Sequence, residues 1–208
     1  MTKDRSSSKI KEKIAKYKPK GGLDYIANLF LEMAQVNHAS TKKHSERVAL
    51  LCEAVAKKMK KDCKAAFFAG LLHDCGKLLL PRDLFDGHEI TTAEYEIIKD
   101  HAVSGFKALN KMCLFTAHSA GLHHNLCKAG YGVKIGDFPR TKNWSPATIK
   151  KVLEISMIVS ICDFIDAFTN RTTKIKDGSD SNGKDLKEML YGKYPEDKLV
   201  IDVALYCI

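Results

Sequence analysis

The run Ala65-Ala66-Phe67-Phe68-Ala69-Gly70-Leu71-Leu72 contains no polar side chain, and His73-Asp74 follow it at once. Small and apolar residues on every side predict a helix buried all round. A carboxylate at the end of such a helix constrains the whole fold, because an unpaired buried carboxylate is costly. Other elements must bring partners to it. A cation held by both side chains is one solution: a neutral imidazole and a carboxylate are both metal donors, and two carboxylate oxygens can bridge two ions. The plain alternative is a surface His-Asp pair at a helix end. Gly76 suits the left-handed residue wanted just past a helix. Lys77, beside such a cation, offers a point charge for a phosphate oxygen. A lone dipeptide does not decide between these readings; further ligands along the chain would.

The rest of the chain reads as helices. Leu23, Ile26, Leu29, Phe30 and Met33 predict one over 23–36, with these residues inward. Ser40 or Thr41 can cap a second, running to about Lys60, whose stripe is Val48, Leu51, Cys52, Val55 and Met59; His44, one turn earlier, falls on the same side. Thr91 and Glu94 form a capping box, and Ile97, Ile98, His101, Phe106 and Leu109 continue at helical spacing. A helix over about 111–125 ends in His123-His124-Asn125. Residues 126–144 hold Gly130, Gly132, Gly136 and Pro139 and predict a long loop. Ser145-Pro146 starts a long helix to about 169, with Asp163 on its inner face and Asp166 three residues on. After a polar loop come two short helices, about 185–191 and 196–207. No strand pattern and no repeat interrupts this. The fold class is all-α, and 208 residues with 45% hydrophobic content suffice for one core.

Charge is unevenly placed. Residues 1–20 carry eight Lys or Arg against Asp4 and Glu12, so +6 of the net +9 lies there. That leaves the folded body a poor nucleic-acid binder. Residues 1–21 read as a basic, flexible or loosely helical arm, of which 1–20 are expected to be dispensable for chemistry, and residues 22–208 as the folded domain. Seven cysteines at irregular spacing, with no C-x-x-C pair, fit reduced thiols. No apolar run is long enough to span a membrane and no signal core opens the chain, so a cytoplasmic location is expected.

The polar residues on inner faces or helix ends form a set: His44, His73, Asp74, His101, His123, His124 and Asp163. They come from five helices and include five of the eight histidines. Five imidazoles and two carboxylates exceed the needs of one tetrahedral zinc and suit two ions sharing a carboxylate.

In this order, H…HD…H…HH…D resembles the HD-domain metal-dependent phosphohydrolases, and within them the HD-GYP branch of cyclic-dinucleotide phosphodiesterases. The segments "HSERVALLCEAVA", "AGLLHDCGKLLLP", "ITTAEYEIIKDHAVSGFKAL", "LHHN", "SICDFIDAFTNR" and "YGKYPEDKLVIDVAL" are similar to that family's motifs over about 36–208. The resemblance implies a single HD-domain helical bundle with a dinuclear site: His44, His73, Asp74 and Asp163 on one ion, Asp74, His101, His123 and His124 on the other. It implies two divalent transition-metal ions, Fe or Mn before Zn, Co or Ni, and a metal-bridging hydroxide attacking a nucleotide-type phosphoester. Asp74 and Lys77 are then the candidate catalytic residues, and Lys77, Arg171 and Lys174 the candidate substrate contacts. Asp166 is a candidate for orienting a ligand. The chain departs from the branch where HHE becomes His123-His124-Asn125 and DG-x-GYP keeps only Gly130-Tyr131, with Gly132 replacing Pro. Ser40 stands where some members carry a third-metal Glu. These changes leave the metal set whole, remove a third ion and loosen the expected grip on cyclic dinucleotides. A mixed-valent di-iron oxygenase and a catalytically silent nucleotide-binding module are the alternatives; oligomeric state is not legible.

Overall fold

A computed structural model describes residues 5–85, 87–134, 144–170 and 185–208. These residues form ten α-helices and two short 3-10 helices. The helices are α1 (Arg5–Tyr17), α2 (Leu23–Asn37), α3 (Ala39–Lys58), α4 (Cys63–Leu72), α5 (Thr92–Lys99), α6 (His101–Leu109), α7 (Leu114–Gly121), α8 (Pro146–Asn170), α9 (Leu186–Lys193) and α10 (Lys198–Tyr206). The 3-10 helices are Cys75–Leu79 and Arg82–Phe85. The all-α expectation holds.

Helix α4 is the axis of the bundle, as its composition requires. Ala66 to Leu72 are all buried, and α3, α7 and α8 pack around them. On one side Val48, Cys52 and Val55 of α3 meet Ile155, Ile158, Ile161 and Ile165 of α8. On the other, Phe67, Phe68 and Leu71 meet Phe30 and Leu31 of α2. Asp62 caps α4 by accepting from the Ala65 amide at 2.9 Å. Helix α3 ends in a Schellman motif: Lys61 N–H donates to Ala56 O (2.8 Å) and Lys60 N–H to Lys57 O (3.2 Å), with Lys60 at φ +55. The capping box at Thr91 and Glu94 is formed, and Ser145 caps α8 through the Thr148 amide at 3.2 Å.

Several expectations are corrected. Residues 5–17 are a docked helix, not a solvated arm. Ile10 and Ile14 are 0% and 3% exposed in the cluster with Phe30 and Phe67. Two glutamates of α3 hold this helix: Ser7 Oγ donates to Glu46 at 2.8 Å, and Glu53 takes both the Tyr17 hydroxyl and Lys13, the latter at 2.5 Å. In α2 the buried stripe is Ala27, Phe30, Leu31 and Ala34, whereas Leu29 and Met33 are 62% and 44% exposed. The helix carries apolar residues on two sides, and neighbours choose which goes in. Helix α3 begins at Ala39 with His38 at its cap position and no side-chain cap, so neither Ser40 nor Thr41 caps it.

Gly76 does not adopt a left-handed conformation. Its role is close approach: a Cβ there would lie 1.9 Å from His101 O and 2.6 Å from Gly105 N. The turn after α4 thus lies directly on the start of α6. All seven cysteines are free thiols. No helix among the described residues is long and apolar enough to cross a membrane.

Candidate metal centre

The seven expected ligands converge at one end of α4. His44 comes from the first turns of α3, His73-Asp74 follow α4, His101 opens α6, His123-His124 follow α7, and Asp163 lies in α8. The expected continuous helix through His101 is interrupted. Asp100 N–H closes α5 on Ile97 O at 3.1 Å, and His101 restarts the chain with its Nδ1 on Ile98 O at 2.6 Å.

The imidazoles are oriented by a common device. His73 Nδ1 lies 2.8 Å from Gly70 O, and His123 Nδ1 lies 2.5 Å from Ala120 O. A carbonyl only accepts, so each Nδ1 carries a proton, and in the neutral ring Nε2 is a bare lone pair. His44 reaches the same state through a side chain: its Nδ1 donates to Asp166 Oδ2 at 2.7 Å. The four Nε2 atoms then face one another in pairs, His44 to His73 at 3.1 Å and His101 to His123 at 3.4 Å.

Carboxylates close both pairs. Asp163 Oδ1 lies 3.0 Å from His44 Nε2 and 3.6 Å from His73 Nε2. Asp74 Oδ2 lies 3.4 Å from each of those nitrogens. Its other oxygen, Oδ1, points to His101 Nε2 at 3.2 Å and makes no hydrogen bond. His124 Nδ1 lies 3.9 Å from Asp163 Oδ2. Donor atoms of His44, His73 and Asp163 lie within 4.8 Å of one another, as do those of His101, His123 and His124 and those of His73, Asp74 and His123. Facing lone pairs with carboxylate oxygens between them, nearly all removed from water, repel unless a cation sits among them. The donor set fits metal binding, and the clusters can hold metal.

Without an ion, one proton serves as the cation. Burial opposes charge on His73, but Asp74 and Asp163 outweigh it and raise its pKa to about 10. Burial pushes His101 down to about 4 and, with the charge of His73, His123 down to about 3. Burial also opposes the charge of Asp74, yet Lys77 and His73 hold its carboxyl well below the usual range. Lys77, 8% exposed, donates to Asp74 Oδ2. The expected phosphate-binding ammonium is therefore on the central carboxylate.

Asp166 sits where its spacing placed it, against His44. The sequence reading passed over Arg47, whose Nε and Nη2 fork onto both oxygens of Asp166 at 2.7 and 2.8 Å. A signal for it existed: Arg47 follows His44, and Asp166 follows Asp163, by one helical turn. Tyr131 was also undervalued. Its ring stacks on His124 (centroids 4.5 Å, 26° between planes), and its amide donates to His124 O at 3.1 Å. The retained Gly130-Tyr131 pair thus steadies the His124 ring. Gly132 has φ +86, out of reach of Pro, so its presence sets a backbone direction rather than merely loosening the loop. Arg171 and Lys174 lie outside the described residues.

A family model described as the HD domain matches residues 41–170. The 3'3'-cGAMP-specific phosphodiesterase 1 of Vibrio cholerae serotype O1 is 30% identical over 125 residues, 55% of this chain and 29% of that protein. A cyclic di-GMP phosphodiesterase of Thermotoga maritima is 28% identical over 152 residues, 67% of this chain and 37% of that protein. The chain therefore spans about a third of the length of these relatives. Among solved structures, the HD domain of the L. monocytogenes phosphodiesterase PgpH superposes with a TM-score of 0.54 at 21% identity, covering 86% of this chain and 94% of that one. The same domain in complex with cyclic-di-AMP gives 0.53 at 20% identity, with 86% and 93% covered. At these identities the likeness to PgpH is one of fold.

Proposed function

Because the chain belongs to the HD-domain family, we propose that it is a metal-dependent phosphohydrolase, a phosphodiesterase or phosphatase for nucleotide-type phosphoesters, with cyclic dinucleotides among its substrates. The observation that carries this reading is the double convergence on Asp74, one oxygen toward His44 and His73 and the other toward His101. In this reading His44, His73, Asp74 and Asp163 hold one divalent ion, and Asp74, His101, His123 and His124 hold the second. The imidazole and carboxylate donors accept Fe, Mn, Zn, Co or Ni, and the resemblance to the HD-GYP branch favours Fe or Mn.

When bound, the ions supply Lewis acidity that lowers the pKa of water and draws charge from phosphoryl oxygens. The remaining work belongs to the chain. Asp74 sets the spacing of the two groups. The anchored Nδ1 protons aim each Nε2 and fix its tautomer. Among the described donors His73, His101 and His123 are buried while His44 and His124 are partly exposed, so the side of His44 and His124 is where a phosphoester approaches in this reading. Lys77, which donates to Asp74 in this structure, would be free to hold a phosphate oxygen if a bound cation neutralised that carboxylate. Arg171, directly after α8, and Lys174 complete the substrate contacts in this reading.

The names of the curated relatives and the cyclic-di-AMP complex of a similar fold support a nucleotide phosphoester. The altered loop after His124 argues for modest selectivity. We expect less than about a hundredfold preference for a cyclic dinucleotide over a linear dinucleotide or an aryl phosphoester, roughly 2.7 kcal/mol of discrimination. The test is elemental analysis of protein purified without added metal, then that substrate panel with Mn or ferrous iron. Asp74→Ala should lose the ions and the turnover while keeping its helical circular dichroism. Near wild-type rate and metal content in Asp74→Ala would sink the assignment.

A further inference from the structure

His73, His101 and His123 each donate Nδ1 to a carbonyl three residues earlier in their own segment. His44 is different: its Nδ1 partner is Asp166, a side chain of another helix. A carboxylate turns about its own axis far more easily than a helical carbonyl, so something must hold it. Arg47 does this with both oxygens, Nε to Oδ1 at 2.7 Å and Nη2 to Oδ2 at 2.8 Å. Asn170 Nδ2 adds a contact to Oδ1 at 3.2 Å. Arg47 lies one turn beyond His44 on the same helix, so ligand, carboxylate and guanidinium close a ring between α3 and α8.

We propose that Arg47 is a positioning residue for the ion held by His44, acting through Asp166. This rests on the two-ion reading of the site. Planar fork meets planar carboxylate, and that match confines Asp166 to the orientation in which Oδ2 meets His44 Nδ1. Lys cannot reproduce it, having a single ammonium. Arg47 touches neither the ligating nitrogen nor any of the other six ligands in the contacts described above. Its effect should therefore fall on one ion and spare the other.

The experiment is calorimetric titration of the metal-stripped 208-residue chain with Mn2+, on wild type, Arg47→Lys, Arg47→Met, Asp166→Asn and the Arg47→Met/Asp166→Asn double variant, with thermal melts of each stripped protein. Wild type should show two classes of site. Arg47→Met and Arg47→Lys should each weaken one class by about 10- to 100-fold, the range seen when outer partners of metal-bound histidines are removed. The other class should stay within about threefold. Asp166→Asn should weaken the same class, and adding Arg47→Met to it should cost nothing further, because both act on one link. Two unchanged classes in both Arg47 variants would overturn the proposal. So would equal weakening of both classes alongside a lowered melting temperature, the mark of a merely structural residue. Wild type that takes up no ion would overturn the metal centre itself, a result distinct from either. If Arg47→Met fails to fold, Arg47→Lys and Asp166→Asn carry the same comparison.

Discussion

Replacing Ile10 by Ala removes three carbon atoms from a side chain with no exposure to water, packed in the cluster that holds Phe30, Leu31, Phe67 and Phe68. Lost transfer free energy is about 0.8 kcal/mol per buried methylene-sized group, or roughly 2.4 kcal/mol. The cavity left behind adds to this, and measured Ile→Ala costs in cores run about 2–5 kcal/mol. The expected loss for Ile10→Ala is therefore about 3 kcal/mol. For a chain of this size a urea slope of about 2–3 kcal/mol/M turns that into a midpoint lowered by roughly 1 M at unchanged slope. Lys9→Ala and Lys16→Ala, on the exposed face of the same helix, should stay within about 0.5 kcal/mol of wild type. The assay is equilibrium urea unfolding followed by circular dichroism and by the fluorescence of Trp144. If Ile10→Ala falls in the band of the lysine variants, α1 does not belong to the core and the packing described for it is wrong.

Lys60→Gly should stabilise the protein by about 0.5–1 kcal/mol, since a left-handed non-glycine residue costs about 1–2 kcal/mol and glycine returns part of that as chain entropy; a lower urea midpoint would contradict it. Gly76→Ala should cost at least about 2–3 kcal/mol and disturb metal uptake, because the new Cβ would lie 1.9 Å from His101 O; a stable variant with full metal content would count against the contact. Metal affinity should rise with pH. His73 keeps its proton up to about pH 10 in the ion-free protein, so below that value an ion must expel it. The apparent affinity should then climb by up to about tenfold per pH unit from 6 to 8, and a flat profile in metal titrations would refute the assignment of His73.

Much of the site was legible because its residues break a pattern. An imidazole on an apolar stripe, as at His44 and His101, or a carboxylate ending an apolar helix, as at Asp74, is conspicuous against the period of 3.6. Local chemistry was legible for the same reason, in the Thr91–Glu94 box and the Ser145-Pro146 start. Features set between distant segments were not. Nothing near Gly76 announces that α6 will lie on it, some thirty residues later. Helix α2 has two apolar stripes, and only its neighbours decide which is buried. Helix α1 did carry a signal, with Ile10, Ile14 and Tyr17 spaced as one face. The lysines around them drew the eye to charge, although a basic helix can be solvated on one side and buried on the other.

The main-chain anchoring of His73, His101 and His123 has a consequence for how such a centre can drift over generations. Carbonyls survive nearly every substitution, so the aim of these three rings is inherited with the helices themselves. Among the four rings whose Nδ1 hydrogen bonds are described, His44 alone takes its aim from another side chain, Asp166. On the two-ion reading, a lineage could retune one ion by changing residue 47 or 166 while the seven proposed ligands stay the same. Two such proteins could share an identical ligand set and still differ in which metal they retain.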